Sequence, residues 1–490
     1  MKTKLHSRAM ALLLLVSMLP LNACGKTQTD VTDNTPTDNT TKPEETTSEF
    51  EPDSLPSDLN FGGKTVNILW WEENKEFVEE QTGDVVDDAL YNRDRNVEER
   101  LNIKLNNIPK SYTWDSRNEY LGAIRNSVMA GDNSYDIVSG QYATMPSLIA
   151  DGIFKNLMTL DYLDFSKPWW VNDLIEETAI DGKLYLVTGN ITKQSIGTIC
   201  CMFGNQRLFN DFKLENPVDL VNSGKWTIDK VKELATGVYQ DLNNNGTADT
   251  DDRHGVVIYN ANGITAFQQS FGLKVTTMNK DGIPELSMNN ERTVDAITKL
   301  REYIKNSEEF YLGSDTTVED NYAIFSDGRA LLTTGFFKQA GETYNNMTDD
   351  FYILPYPKYD ESQERYQTRL GEANTLFGIT ASCNEPDMAA AVMEAMSSEG
   401  YRTVAPAYYE VALKVKYSRN DESAQMFDLI RSSVVFDFGA LYGTTNGIAF
   451  TSIKNFIAYG SDEWASYYAS NEEKAKTGIK NFVEAVQKLD

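Results

Sequence analysis

The residues from Asp241 to Asp252 have the types and spacing of a loop that binds a metal ion. Oxygen-bearing side chains occupy the first, third, fifth, ninth and twelfth positions, and Gly246 occupies the sixth, where such a loop turns sharply. Ca²⁺ takes about six to eight oxygen ligands, one of them the backbone carbonyl of the seventh position. The spacing therefore predicts a structural Ca²⁺ site, with a polar surface turn that binds nothing as the alternative. The predicted ligands are Asp241, Asn243, Asn245, Thr247, Asp249 and Asp252.

Histidine and cysteine are too scarce for most other site chemistries. Of the two histidines, only His254 lies outside the N-terminal segment, so a histidine-based nucleophile system would have to use it. A zinc site built on several histidines is excluded. Cys200 and Cys201 are adjacent, which strains a disulfide between them; Cys383 could pair with one of them, although free buried thiols fit better. The scarcity of histidine and cysteine does not exclude acid–base catalysis by two carboxylates, as in glycosidases.

The charge of the chain excludes several partners. The chain has 45 basic and 73 acidic residues, which gives a formal net charge of −28. Such a surface repels nucleic acid and anionic lipid headgroups, so neither is expected as a partner. The negative electrostatic potential of this surface also argues against an anionic ligand, unless a local pocket of basic residues makes the potential positive there.

The first 24 residues predict export and anchoring. Three basic residues precede Ala9–Leu21, an uncharged stretch of the length found in secretory signals and too short to span a bilayer comfortably. Leu21-Asn22-Ala23-Cys24 resembles a bacterial lipobox, which implies removal of residues 1–23 and lipidation of Cys24. An ordinary signal peptide that ends near a cysteine is the alternative. The lipid would hold the protein at the outer face of the cell membrane.

The segment 24–60 predicts a disordered tether. It is rich in Thr, Asp, Asn, Glu, Pro and Ser and has few large apolar side chains. Such a segment cannot bury enough apolar surface to offset the entropy of ordering it. Its acidic and Pro content favours an extended chain that lets the folded part move clear of the membrane.

Beyond the tether, apolar strands alternate with amphipathic helices. Lys64–Trp71 has the pattern of a buried strand, Val85–Leu101 of a helix and Leu101–Ile108 of a second strand. This alternation predicts an α/β protein with a parallel or mixed sheet and helices on both faces. Further strands are predicted at Tyr135–Ser139, Lys183–Val187, Gly197–Phe203, Val256–Tyr259, Ala330–Thr334 and Thr375–Thr380, and helices at Trp114–Ala130, Thr227–Tyr239, Thr293–Asn306 and Pro386–Ser397.

Four short motifs, taken in order, resemble one family. Tyr135–Ser139, Asp181-Gly182-Lys183-Leu184-Tyr185, Lys225-Trp226-Thr227 and Ala330–Phe337 are similar to segments of the extracellular solute-binding proteins of ABC importers, in the carbohydrate-type, maltose-binding-protein-like branch. The resemblance covers most of 64–490.

The resemblance implies a two-lobed, periplasmic-binding-protein-like (type II) fold with a hinge and discontinuous lobes. Lobe 1 is expected at 62–190 and 376–430, and lobe 2 at 191–370 and 431–490. The crossovers are expected near Asn190–Thr192 and Gly371–Asn374.

Aromatic and polar residues just past the predicted strands are the candidate ligand contacts. Sugar sites pair aromatic platforms with polar hydrogen-bonding groups, and an α/β lobe exposes its loops at the ends of its strands. Adjacent aromatic residues in a strand point to opposite faces, so one of each pair is expected in the core. The candidates are Trp70, Trp71, Glu72, Gln141, Tyr142, Trp169, Trp170, Phe336, Phe337, Glu372, Asn374 and Tyr442.

The resemblance implies a monomeric receptor, not an enzyme. It would capture a sugar or oligosaccharide outside the membrane by lobe closure and deliver it to the permease subunits of an ABC importer. A secreted carbohydrate-active enzyme such as a glycosidase, and a receptor for peptides or metal chelates, are the alternatives.

Overall fold

The computed structural model describes residues 51–414, 421–448, 450, 453–460 and 463–489. They belong to one compact unit, Phe50–Asp490. The predicted signal segment, Cys24 and most of the predicted tether lie outside the described residues. In the part of the chain that is described, no helix combines the length and apolar character needed to cross a membrane.

The described residues form strands and helices in alternation. The strands are β1 Lys64–Trp71, β2 Ile103–Lys110, β3 Ile137–Gln141, β4 Cys200–Asn205, β5 His254–Ile258, β6 Thr276–Met278, β7 Pro284–Leu286, β8 Phe310–Leu312, β9 Ala330–Phe336, β10 Phe351–Leu354 and β11 Thr375–Ile379. The α-helices are α1 Val85–Leu101, α2 Arg117–Ala130, α3 Asn172–Thr178, α4 Gln194–Gly197, α5 Gln206–Asp211, α6 Pro217–Asn222, α7 Ile228–Ala235, α8 Ala261–Ser270, α9 Glu291–Asn306, α10 Val318–Ser326, α11 Gln339–Glu342, α12 Pro386–Glu399, α13 Ala405–Lys414, α14 Asp421–Ser432, α15 Phe438–Asn446 and α16 Trp464–Gln487.

Two mixed sheets organise the described residues. The first has the strand order β11-β3-β1-β2, in which β11 alone is antiparallel to its neighbour. The second has the order β10-β4-β9-β5-β8, in which β9, β5 and β8 are parallel. The chain therefore leaves the first sheet between Gln141 and Cys200 and returns to it between Leu354 and Thr375. Both predicted crossovers fall inside these intervals, while the lobe boundaries stay predictions.

Helix α1 shows how the sequence sets these elements. The Asp84 side chain accepts hydrogen bonds from the first-turn amides of Val86 and Asp87, and Asn102 ends the helix in the left-handed region at φ 49°. The buried face of α1 includes Leu90, Val97 and Leu101, at helical spacing. The predictions of β1 and α1 are confirmed residue for residue.

The segment Lys183–Val187 differs from its prediction as a strand. It makes only isolated bridges, among them Val187 with Phe377 of β11. Both backbone hydrogen bonds of that bridge form, at 3.0 and 2.8 Å. At Gly189 the chain passes so close to Trp169 that a Cβ atom would lie 2.3 Å from the Trp169 carbonyl oxygen. The apolar pattern here therefore reflects burial beside the sheet rather than membership of it.

The end of the predicted tether packs onto the folded part, which corrects the expectation that 24–60 is disordered throughout. Leu55 is buried in the same apolar cluster as β1. The Arg100 guanidinium donates hydrogen bonds to the carbonyl oxygens of Leu55 (3.3 Å) and Pro56 (2.9 Å). Ser54 donates to the carboxylate of Glu394 at 3.0 Å. One apolar residue and one arginine are sufficient to hold this short stretch in place.

The Glu394 carboxylate on α12 holds the adjacent tryptophans Trp169 and Trp170. It accepts hydrogen bonds from Nε1 of Trp170 at 2.8 Å and from Nε1 of Trp169 at 3.1 Å. The whole residue is buried, and burial raises the pKa of Glu394 to about 7, although its hydrogen bonds oppose the shift. Both indoles are therefore fixed as structural groups by one titratable side chain.

We expect the stability of the protein to depend on pH through Glu394. Because the folded state binds this proton more tightly, the contribution is fully present below the ordinary pKa of 4.5 and is lost as pH rises through about 7. Between pH 5 and pH 8 the wild type should lose about 1–3 kcal/mol of unfolding free energy relative to Glu394→Gln. Urea titrations at both pH values measure the difference.

The control for this prediction is Glu399→Gln, which changes a carboxylate in the last turn of the same helix that is paired with Arg402 at 2.9 Å near the surface. That variant should keep the pH dependence of the wild type. A difference between wild type and Glu394→Gln that stays constant from pH 5 to pH 8 would contradict the assignment.

Candidate functional site

Three chain segments lie side by side where the chain passes between the two sheets. We call 198–200, 368–371 and 433–435 the junction segments. The first two are joined by hydrogen bonds from Cys200 N to Arg369 O (2.9 Å) and from Gly371 N to Thr198 O (2.8 Å). The second and third are joined at Thr368, whose backbone groups bond Ser433 and Val435 at 2.8 and 2.9 Å. Backbone hydrogen bonds thus fix the place where the two sheets approach each other.

One edge of the first sheet collects several of the predicted ligand residues. Strands β1, β2 and β3 are parallel, so their carboxyl ends share this edge, and antiparallel β11 begins there. The Tyr142 amide donates to Asn374 O at 2.9 Å, and Gln141 Nε2 donates to Tyr112 O at 2.8 Å. The indole of Trp71 lies 5.6 Å from the Tyr112 ring, centroid to centroid. The structure therefore places Trp71, Gln141, Tyr142 and Asn374 together.

The corresponding edge of the second sheet carries an aromatic group of its own. Tyr259 follows β5 and Phe336 ends β9, and their rings are 5.6 Å apart in an edge-to-face arrangement. Tyr322 stacks on Tyr259 at 5.4 Å. Phe336 also contacts the second junction segment, because a Cβ atom added to Gly371 would lie 2.6 Å from its ring. This aromatic group is therefore continuous with the junction.

Arg369 lies between the two edges and is 8% exposed. Its Nη2 donates to Glu372 Oε1 at 3.4 Å, the one hydrogen bond that its side chain makes among the described residues. Burial opposes its charge, but Glu372 first, then Cys200, Tyr142 and Tyr259, raise the pKa of Arg369. Arg369 is thus a buried cation at the junction, paired with a half-buried carboxylate.

The third junction segment closes the site on another side. Phe436 follows it and lies 6.1 Å from Tyr142, ring centroid to ring centroid. Asp437 accepts hydrogen bonds from the Gly439 amide at 2.8 Å and from the Thr276 hydroxyl at 3.1 Å. Burial raises the pKa of Asp437 to about 6, although these hydrogen bonds oppose the shift. Asp437 caps the N-terminus of α15. Its role is therefore to hold the segment beside the site in place, not to react with a ligand.

The arrangement is suited to binding a neutral, hydroxyl-rich molecule between aromatic faces. Burial raises the pKa of the Cys200 thiol to about 12, so this thiol stays protonated and is a poor nucleophile. Glu73, beside the candidate Glu72, is held by Ser111 Oγ at 2.6 Å and Tyr112 N at 2.9 Å. These bonds lower the pKa of Glu73, although burial opposes them. Glu73 therefore orders the loop after β2.

The remaining predicted ligand residues lie apart from this site. Trp70 is in the core, where its indole packs edge-on against Phe377 at 5.6 Å and Nε1 donates to Asn107 at 2.6 Å. Phe337 is fully buried against Phe427, at 4.5 Å. Tyr442 is buried, and its hydroxyl donates to Thr178 O at 3.2 Å.

Glu72 and the tryptophan pair are also outside the aromatic site. Glu72 is exposed in the turn after β1. Trp169 and Trp170, held by Glu394, line a cavity of about 600 Å³ together with Ile199 and Leu370. The residues that line this cavity do not include Arg369, Tyr142, Tyr259 or Phe336. The tryptophan pair therefore belongs to a separate cavity.

Sequence reasoning missed Arg369, Tyr259 and Phe436. Tyr259 ends a predicted strand, so the rule that selected Tyr142 could have selected it. Arg369 stands two residues before the predicted second crossover, but no local pattern marks an arginine that becomes buried between two sheets. Phe436 precedes α15 by two residues and is brought to Tyr142 by tertiary packing alone.

The predicted metal loop is formed largely by its own hydrogen bonds. Gly246 turns the chain at φ 75°, and its amide donates to Asp241 at 2.9 Å. The Asn243 and Asn245 amides donate to the Asp249 carboxylate, at 3.1 and 2.6 Å. Among the described residues, no group of three or more His, Cys, Asp or Glu side chains is arranged to hold a metal ion.

The donor set is nevertheless compatible with an oxygen-preferring cation. The Asp249 carboxylate faces the side-chain amides of Asn243 and Asn245, and rotation of those amides by half a turn would present oxygen atoms instead of nitrogen atoms. Asp241 accepts from the backbone amides of Asn245 (3.3 Å) and Gly246 (2.9 Å). Asp252 is fully buried. One of its oxygens accepts from the Leu242 amide at 3.0 Å and keeps a lone pair, and the other accepts from the Asp249 amide (3.1 Å) and the Tyr239 hydroxyl (3.3 Å).

Comparison with known proteins bears on the fold. No family model matches the chain, and no curated protein matches it. The chain is similar in structure to the maltose/maltodextrin-binding domain MalE of Bdellovibrio bacteriovorus bound to maltotriose (15% identity, 86% of this chain and 100% of that chain, TM-score 0.51). It is also similar to a cyclo/maltodextrin-binding protein complexed with maltotetraose (13%, 87% and 98%, 0.53) and to an ABC transporter solute-binding protein of Thermotoga lettingae bound with α-D-tagatose (12%, 86% and 100%, 0.51).

These similarities extend over most of the chain and nearly the whole of each other protein. The chain therefore has the two-lobed, type II fold of the solute-binding proteins, and the fold class predicted from the sequence is confirmed. At such low identity the similarity concerns the fold.

We expect the contact between Phe336 and Gly371 to be sensitive to a single methyl group. Gly371→Ala places a Cβ atom 2.6 Å from the Phe336 ring, so the ring or the junction segment has to move. This overpacking should lower the free energy of unfolding by about 1–3 kcal/mol, measured by urea titration.

The matched control is Gly341→Ala in α11, where an added Cβ meets nothing within 4 Å. It should leave stability unchanged or raise it slightly, because alanine favours a helix. Equal effects of the two substitutions would show that Phe336 does not pack on the junction.

Proposed function

We propose that the protein is the binding component of an ABC importer that captures a sugar or oligosaccharide outside the membrane. The two lobes close on the ligand about the junction segments, and the closed form docks on the permease subunits in the membrane. The ligand leaves chemically unchanged. The receptor acts as a monomer anchored by lipid at Cys24.

The observation that carries the proposal is that both sheet edges reach the junction segment of buried Arg369: Tyr142 is bonded to Asn374 just after it, and Tyr259 packs on Phe336, which contacts Gly371. Aromatic faces bind the apolar faces of sugar rings, and the guanidinium N–H groups donate to ring hydroxyls. The half-buried Glu372 carboxylate accepts from the same hydroxyls. Phe336 adds a further ring at the junction. A site built from both lobes gives the ligand different contacts in open and closed states, which is what closure requires.

The similar proteins support the ligand class and the role. Their names describe maltotriose, maltotetraose and tagatose as bound molecules and a solute-binding component of an ABC transporter. The apolar stretch before Cys24 and the polar segment after it support a location outside the cytoplasm. A receptor role without catalysis agrees with the protonated Cys200 thiol and with the structural use of Glu73.

We expect Arg369→Met to weaken sugar binding. Loss of a charge-assisted hydrogen bond should lower affinity about tenfold to a hundredfold. Isothermal calorimetry with maltotriose, maltotetraose and tagatose measures the affinity of the wild type and the variant. Arg369→Lys keeps the charge and should lose less.

The matched control is Arg365→Met, four residues earlier and exposed, which should bind like the wild type. Unchanged binding by Arg369→Met would remove Arg369 from the site. If no sugar of a broad panel binds the wild type, or if a sugar is returned cleaved, the proposed function is wrong.

We also propose that the loop Asp241–Asp252 binds Ca²⁺ as a structural ion that ligand capture does not need. Its support is the ligand spacing and the direct contact of the Asn243 and Asn245 side chains with the Asp249 carboxylate. Side-chain and backbone oxygens of this loop would hold the ion, and the ion would offset the repulsion between the carboxylates.

Calcium should raise the melting temperature of the wild type relative to protein in chelator, because a ligand that binds only the folded state stabilises it. Asp249→Ala should abolish this difference in a calorimetric scan. Asp251→Ala, at a loop position that supplies no ligand, should retain it. Identical transitions of the wild type with Ca²⁺ and with chelator would exclude the site.

A further inference from the structure

Trp114 is the exception among the tryptophans. Six of the seven are buried, with at most 6% of the residue exposed, whereas Trp114 is 59% exposed. A large aromatic surface left in water is unfavourable, by about 25 cal/mol for each Å².

The loop that carries Trp114 is ordered by its own hydrogen bonds. Glu73, just past β1, accepts from Ser111 Oγ and Tyr112 N. Thr113 N donates to Ser116 Oγ at 2.8 Å, and Ser116 N donates back to Thr113 Oγ1 at 3.2 Å. The indole is therefore held outward by a short, cross-linked loop. A platform fixed before binding loses little conformational entropy when a ligand stacks on it.

One face of the indole is occupied, and the other is open. The Arg117 guanidinium carbon lies 4.1 Å from the centroid of the Trp114 ring, a cation–π contact that also holds the ring in position. Among the residues that the structure describes, no other ring or cation stacks on Trp114. An indole with one face supported and one face exposed has the form of a platform for a sugar ring.

Trp114 shares the sheet edge of the candidate site but lies farther out. It follows β2, the outer strand of the order β11-β3-β1-β2, whereas Gln141 and Tyr142 follow β3. Two inter-strand spacings, about 10 Å, separate β2 from β3. The Gln141 hydrogen bond to Tyr112 O, two residues before Trp114, joins the two positions. A ligand that touches both Tyr142 and Trp114 is therefore longer than one sugar ring.

We propose that Trp114 is the outer platform of the binding site and that the ligand is an oligosaccharide rather than a free monosaccharide. The inference rests on the proposed sugar-binding function and adds the length of the ligand to it. Inner rings contact Tyr142, Arg369 and Tyr259, and an outer ring stacks on the open face of Trp114.

A series of oligosaccharides of increasing length tests the proposal. Calorimetry with maltose-type, cellulose-type and xylan-type sugars of one to six rings gives the affinity of the wild type and of Trp114→Ala. Affinity of the wild type should rise with length, and Trp114→Ala should lose about tenfold on the longest sugars and nothing on the shortest. Trp114→Tyr, which keeps a ring, should recover most of the loss.

Met129→Ala is the matched control, because Met129 is 78% exposed at the far end of α2, near the start of β3 and hence at the opposite sheet edge. It should bind sugars of every length like the wild type. If the wild type binds sugars and Trp114→Ala matches it at every length, the outer platform is excluded and the proposed function stands. If Trp114→Ala binds sugars like the wild type but cells that carry it fail to take them up, Trp114 contacts the permease instead. That outcome also contradicts the proposal that Trp114 is a platform for sugar. If the wild type binds none of the series, both proposals fail.

Discussion

The backbone pairing of the three junction segments is the constraint on which the site depends. The first sheet contains strands from both ends of a long insertion, so its two parts have to be brought back together where the chain crosses to the second sheet. The hydrogen bonds at Cys200, Arg369, Thr368 and Gly371 perform this alignment. They also bring the carboxyl ends of β3, β5 and β9 to the candidate site.

The second consequence of this pairing is the burial of a charge. Arg369 enters the junction with its backbone bonded to Cys200, and its side chain is buried there. A buried ion costs several kcal/mol unless partners compensate it, and its carboxylate partner Glu372 is 3.4 Å away and half-buried. A ligand hydroxyl placed between Arg369 and Glu372 would satisfy both groups.

The sequence predicted the elements whose signal is local. β1 ends in the apolar run Ile68–Trp71, and α1 has apolar residues at helical spacing, so the sequence predicts both with correct bounds. The pattern of Lys183–Val187 also predicts a strand, because burial beside a sheet and membership of a sheet give the same apolar pattern. The packing of Leu55 depends on Arg100, far along the chain, and the local composition around Leu55 indicates only disorder. Arg369 could not be predicted as a site residue from local sequence for the same reason: its surroundings come from separate segments of the chain.

The adjacent aromatic pairs show why the site was predicted only in part. In β1 the two neighbouring tryptophans point to opposite faces of the sheet. Trp70 packs in the core beside Phe377, and Trp71 lies at the sheet edge beside Tyr112. The alternation rule states that one of the pair is inside, but only the sheet order decides which. Trp169 and Trp170 lie outside the named strands, so the rule does not apply, and Glu394 on α12 binds both. A carboxylate more than 220 residues away thus turns two apparent ligand platforms into structural groups. Residue type and position after a strand select candidates, whereas the contacts that fix each ring come from segments far away in the chain.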